Sequence, residues 1–187
     1  AVTGPMTLAG NLSVSGAGTT LTLGGHRVNV GGFFTISGGA TLVSTQTADT
    51  LDVRGPYAQF QGTAGDHAGL MTAGALLVAG DLYLDGDGVD MSGTHRVALT
   101  GTGTGTQTIF SSTPARPLQD VRLEGTRSLA ATNLTVRGTF AVTTAAPVTV
   151  SSFGTWQLGG AVTSPATASW ALTTVQLDAP ASIAAVA

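Results

Sequence analysis

Gly10-Asn11-Leu12-Ser13-Val14 returns as Gly32-Phe33-Phe34-Thr35-Ile36, as Gly80-Asp81-Leu82-Tyr83-Leu84 and as Gly138-Thr139-Phe140-Ala141-Val142, with Gly55-Pro56-Tyr57 a looser copy. Each copy places a glycine before alternating residues, and alternation with period two marks a strand with one face buried. Measured on the apolar position, Phe34 follows Leu12 by 22 residues, Tyr57 follows Phe34 by 23, and Leu82 follows Tyr57 by 25. Between the copies lie further trios of the same kind: Leu21-Thr22-Leu23, Val28-Asn29-Val30, Val121-Arg122-Leu123 and Leu134-Thr135-Val136. About three short strands per period in the low twenties is what one winding of a parallel β-helix requires, each winding pairing with the one below. Glycines then belong at corners, where the backbone bends sharply or a neighbouring winding comes close.

This reading predicts an all-β chain, a parallel β-solenoid of roughly eight irregular turns. It forms a single domain over residues 1–187, more regular in 10–100 and irregular in 145–187. A β-sandwich is the alternative, because short strands punctuated by glycine also suit two packed antiparallel sheets. Helices are not expected, since Gly, Thr, Ser and Val dominate and no sustained i, i+3, i+4 stripe is present.

Composition narrows the function. The 187 residues include 27 Gly, 31 Thr and no Cys, and only 9% are charged. All seven cations are Arg and the net charge is −3, so the cationic density that nucleic acid demands is missing. The absence of cysteine removes disulfides, thiol catalysis and thiolate metal sites. No apolar run approaches the roughly 20 residues that a membrane-spanning helix needs.

Gly25-His26-Arg27-Val28-Asn29-Val30-Gly31-Gly32-Phe33-Phe34 resembles a segment that recurs in very large bacterial surface proteins of the haemagglutinin-like, adhesin-like β-helix kind. Gly103-Thr104-Gly105-Thr106-Gln107-Thr108-Ile109 and Leu134-Thr135-Val136-Arg137-Gly138-Thr139-Phe140 are similar to other parts of the same module. The resemblance covers Gly10 to Val142. It implies an exported, surface-associated scaffold and transfers no catalytic residues.

Candidate chemistry centres on Asp81–Asp90. Calcium takes six to eight oxygens from carboxylates and carbonyls on a flexible loop, and Asp85, Asp87 and Asp90 offer a carboxylate set for it. Asp-Gly repeats are equally ordinary turn chemistry. No other cofactor is expected. β-Helix polysaccharide lyases use calcium-binding aspartates with a basic residue as proton acceptor, roles that Asp85, Asp87 and Arg96 would fill. Asp66-His67 has the makings of an oriented imidazole. His26 and His95 each precede Arg-Val, which suggests equivalent corners. Thr100–Thr108 alternates with glycine and reads as a connection rather than a strand.

A β-helix exposes unpaired backbone and apolar core at its ends unless a cap covers them. Ala1–Leu8 and Ile183–Ala187 are uncharged and partly apolar. The expected function is therefore an extracellular or cell-surface structural or adhesive solenoid, not an enzyme. Two arrangements would cover such ends: neighbouring windings of a longer array, or copies that self-associate head to tail into a homo-oligomer, filament or surface layer; cell-surface glycans are the other partners expected. The alternative is a carbohydrate-binding or polysaccharide-cleaving β-helix protein.

Overall fold

The computed structural model describes residues 1–62, 64–85, 88–112, 116–178 and 182–186, and among these every strand pairing is parallel and no helix occurs. The chain is a β-solenoid of about eight turns whose cross-section has three sides. A β-sandwich is excluded, because each strand pairs with the strand one winding later and no antiparallel pair is formed.

The first side is a nine-stranded ladder: β1 (Met6–Leu8), β4 (Arg27–Val30), β7 (Thr50–Val53), β9 (Ala75–Val78), β11 (Arg96–Leu99), β14 (Asp120–Leu123), β17 (Phe140–Val142), β20 (Ala161–Pro165) and β23 (Ser182–Val186). The second side has eight strands: β2 (Leu12–Ser15), β5 (Phe34–Ser37), β8 (Tyr57–Phe60), β10 (Asp81–Leu84), β12 (Thr106–Ser111), β15 (Ser128–Ala131), β18 (Val148–Ser152) and β21 (Ala168–Ala171). The third side is broken. It begins with β3 (Thr20–Thr22) and β6 (Thr41–Val43), and ends with β13 (Pro117–Leu118), β16 (Leu134–Val136), β19 (Thr155–Leu158) and β22 (Thr174–Leu177). Between those two parts only the bridges Ser44–Met71 and Met71–Met91 carry it. Both methionines are fully buried; their unbranched, adaptable side chains fill the space that regular strands fill elsewhere.

Alternation sets the core. In register on the first side, Val28, Leu51, Leu76, Val97, Val121, Phe140 and Val162 form one inward row. On the second side Leu12, Phe34, Ala58, Leu82 and Ile109 form another. Burying each such aliphatic side chain contributes about 1.5–3 kcal/mol before entropy is subtracted. Trp156 is fully buried on β19 and packs 5.4 Å from Phe140, thickening the core where the later windings lie.

Two details of the repeat differ from the sequence expectation. The inward rung of the third winding is Ala58, not Tyr57, so Phe34 to Ala58 and Ala58 to Leu82 are each 24 residues. Gly138-Thr139-Phe140 belongs to the first side, whereas the other copies lie on the second. Glycine marks two different corners, and the motif alone does not separate them. The interruptions lie on the third side between residues 44 and 116, whereas 145–187 contributes strands to all three sides.

Close approach explains the corner glycines. A Cβ on Gly55 would strike the backbone of Gly32, and one on Gly80 would strike Pro56 and Gly55. These positions need glycine because windings about 4.8 Å apart leave no room at the bend.

Candidate functional site

Outward-facing positions of the second side carry a row of aromatic rings. Phe33 stacks on Tyr57 with centroids 5.1 Å apart and planes 5° from parallel. Tyr57 meets Tyr83 edge to face at 6.0 Å, and Tyr83 meets Phe110 at 6.2 Å. The four belong to successive windings, so the row runs along the solenoid axis. Register accounts for the two ends of the row: Phe34 pairs with Ala58, which sets Phe33 beside Tyr57, and Tyr83 pairs with Phe110; in the middle Tyr57 pairs with Asp81 and Gln59 with Tyr83, so the row steps sideways by two residues. Phe110 is 40% exposed and the other three are half-buried.

Polar groups border the row. Gln59 Nε2 donates to Asp85 Oδ2 at 2.9 Å, and a cleft of about 180 Å³ opens between Tyr57, Gln59 and Tyr83. Asp81 Oδ1 accepts the Thr108 backbone N–H at 2.8 Å. Burial, followed by the charge of Asp81, holds the Tyr83 phenol above its ordinary value, so it stays a hydrogen-bond donor at neutral pH. Beside the row, at the corner joining the first and second sides, lies a groove of about 560 Å³ with Arg54, Asp81 and Arg127 on its walls.

Two of the three carboxylates chosen from the sequence have protein partners. Asp85 is held by Gln59, and Asp90 accepts from Arg137 Nη1 at 2.5 Å. Asp87 lies outside the described residues. Among the described residues no cluster of three or more metal-ligating side chains occurs. Arg96 stands at another corner, in a groove of about 300 Å³ with Asp120 and Arg122, away from Asp85. The lyase-like trio is therefore not gathered at one place by its described members.

Asp66 and His67 do not form an acid–base pair. Asp66 Oδ1 accepts the Ala68 N–H at 2.9 Å, while the fully buried His67 ring packs edge-on against Phe60 at 5.4 Å. Burial pushes the His67 imidazole below its ordinary value, opposed in part by the Asp66 charge. His26 and His95 do occupy one corner column, since Arg27, Thr50, Ala75 and Arg96, the residues after it, are in register. Thr100–Gly105 forms the connection between β11 and β12, where Gly103 and Gly105 take positive φ, but Thr106–Thr108, expected to belong to the connection, opens β12 and pairs with Ser128–Ala130.

Sequence reasoning overlooked a recurring device. Asn11, Asp81, Asp120 and Asn133 each accept a backbone N–H from the next winding, those of Phe33, Thr108, Thr139 and Thr155. All four directly precede an apolar residue at the start of a strand, Asp81 and Asp120 being themselves the first residues of β10 and β14, and that Asx-apolar pair is the signal which would have found them. Asp49 is the buried counterpart. Its carboxylate accepts the N–H groups of Gly25, Thr45 and Gln46.

Comparison of the chain with protein-family models, curated proteins and solved structures returned no match.

Proposed function

We propose that the protein is an extracellular structural or adhesive β-solenoid whose copies add end to end, building a filament or surface layer. The state of its two ends carries this reading. At one end Val2, Met6, Leu8, Leu12 and Leu21 are only half-buried although they point along the inward rows. At the other, Trp170, Leu172 and Val175 are similarly placed and Leu177 is 47% exposed. Among the described residues β1, β2, β21 and β22 each have a single partner strand, so their outer edges present backbone groups for pairing, while on β3 the Thr22 carbonyl accepts the Val2 N–H at 2.8 Å. The two ends differ from each other. A contact between them is therefore heterologous, and because it adds windings along one axis it builds an open filament rather than a ring.

The low charge and the resemblance to adhesin-like surface proteins support an exposed scaffold. Among the described residues no helix is long and apolar enough to cross a membrane. Negative-stain imaging and sedimentation velocity of the purified chain over a wide concentration range test the assembly. Rods longer than the roughly 40 Å that eight strand spacings give, growing with concentration, are expected. Uniform single particles at every concentration would overturn the proposal.

A further inference from the structure

We propose that the groove holding Arg96 and Arg122 on the first side is a binding site for a singly charged oxyanion: a carboxylate, a sulfate ester or a phosphodiester. The site lies on the flank of the rod. It goes beyond the reading above and holds whether or not copies add end to end.

The repeat supplies its own comparison. On the first side Arg27 pairs in register with Thr50, and Asp52 stands two residues further along that next winding. Strand spacing and rise put such a diagonal pair about 8 Å apart at Cα. Arg27 Nη2 spans the diagonal and reaches Asp52 Oδ2 at 2.7 Å. Arg96 and Arg122 repeat this arrangement, since Arg96 pairs in register with Asp120 and Arg122 stands two residues beyond it. Where the earlier winding sets a cation against an anion, this one sets two cations together. Guanidinium groups stay protonated in proteins, so the two repel unless an anion lies between them.

Neither cation is satisfied by the protein. Among the described residues the Arg96 and Arg122 side chains make no hydrogen bond or ion pair, and Arg96 Nε is buried without a partner. A buried donor without an acceptor is costly, and a ligand oxygen removes that cost. Other arginines are engaged. Arg27 and Arg54 pair with Asp52, Arg137 pairs with Asp90, and Arg127 Nε donates to the Thr102 carbonyl. Asp120, opposite Arg96 in register, is committed to the next winding, where its Oδ1 accepts the Thr139 N–H at 2.7 Å.

Charge and size select the ligand. Thr47, Thr50, Thr94 and Asp120 bound the groove of about 300 Å³ beside the two arginines. Two guanidinium groups against one carboxylate leave a single positive charge to balance, which favours a monoanion. Arginine forks match oxyanions with paired N–H···O bonds, and the threonine hydroxyls serve oxygens that the forks leave over. The chain as a whole carries a net charge of −3, so attraction of an anion has to be local to this groove.

Isothermal titration calorimetry of the intact chain at low ionic strength tests the site, with acetate, methyl sulfate and dimethyl phosphate as probes and acetamide as the neutral comparison. Binding of at least one anion at one site per chain is expected, weakening as sodium chloride is added. Arg96→Gln and Arg122→Gln should each weaken it at least tenfold. Arg137→Gln removes the same charge from an arginine paired with Asp90 and should bind as the parent does. The probe that binds most tightly distinguishes a uronic, a sulfated or a phosphodiester-linked chain as the source of the group. Circular dichroism checks folding, and Arg122→Gln, at an exposed position, carries the test should Arg96→Gln fail to fold. Without ligand, Arg122→Gln relieves the repulsion and should melt no lower than the parent. The proposal is overturned if no anion binds, if acetamide binds equally, or if a folded glutamine variant at either position binds unchanged. It is equally overturned if Arg137→Gln weakens binding as much, which would reduce the effect to net charge, or if ligand-free Arg122→Gln melts lower, which would mean that the protein itself satisfies Arg122.

Discussion

At the residue scale, burial and hydrogen bonding decide which polar side chains matter. Asp49 is 1% exposed and accepts three backbone N–H groups, one of them from the winding below. Asp49→Ala leaves those donors without a partner and should cost about 3 kcal/mol, seen as a melting temperature lower by roughly 6–12 °C for a chain of this size. His95 is the matching case among titrating groups. It is 1% exposed, its Nδ1 has no hydrogen-bond partner, and burial pushes its pKa down to about 4, with the Asp49 charge opposing. The unfolded chain binds a proton near pH 6.5 and the folded chain does not until about 4. Stability is therefore full above 6.5 and declines as pH falls toward 4, by up to about 3 kcal/mol. Thermal melts between pH 7.5 and 5 should show that decline; His95→Phe should reduce it, leaving the part that the likewise buried and lowered His67 contributes. A pH-independent melting temperature in the parent would contradict this account. The inward and outward parity of Leu-x-Leu trios was legible in the sequence, since it depends on neighbours alone. The role of Asp49 was not, because Gly25 becomes its partner only once the windings stack.

For the elements, the corners are more demanding than the strands. Strand interiors tolerate Val, Leu, Phe or Ala at one inward row, and the core adjusts by exchanging sizes, as where Ala58 sits between Phe34 and Leu82 in register. The corner column does not adjust. Gly55→Ala drives a Cβ into Gly32 backbone and should cost about 1–3 kcal/mol. Gly10 stands at the start of the same column with nothing within 4 Å of its missing Cβ. Gly10→Ala should therefore leave the isolated chain's melt within about a degree, because surface changes of this kind stay within about 0.5 kcal/mol. Equal destabilisation by the two substitutions would refute the close-approach account. The sequence announced this column through its Gly-x-apolar copies. It misplaced two of them, taking Tyr57 for an inward residue and Gly138 for the same corner, because a glycine before alternating residues looks the same at either bend.

Over the whole molecule, the solenoid and its three-sided winding followed from the period, while the aromatic row did not. The contacts of Phe33 with Tyr57 and of Tyr83 with Phe110 need the register of successive windings, and spacings that vary from 22 to 27 residues hide it. End-to-end growth belongs to this scale too. Val175→Lys and Leu177→Lys place charge on one end face and should abolish long rods without lowering the melting temperature by more than a few degrees. Persistence of rods in the double variant would mean that copies join elsewhere. The interrupted third side has a mechanical consequence. Two ladders run the length of the molecule as continuous rails, while the remaining wall is stitched by lone bridges at Ser44, Met71 and Met91. A shaft built so is anisotropic: it resists flexure along its two railed walls and yields most readily at the seam, so a pulling load would be relieved by a slight opening of that wall rather than by rupture of the rod.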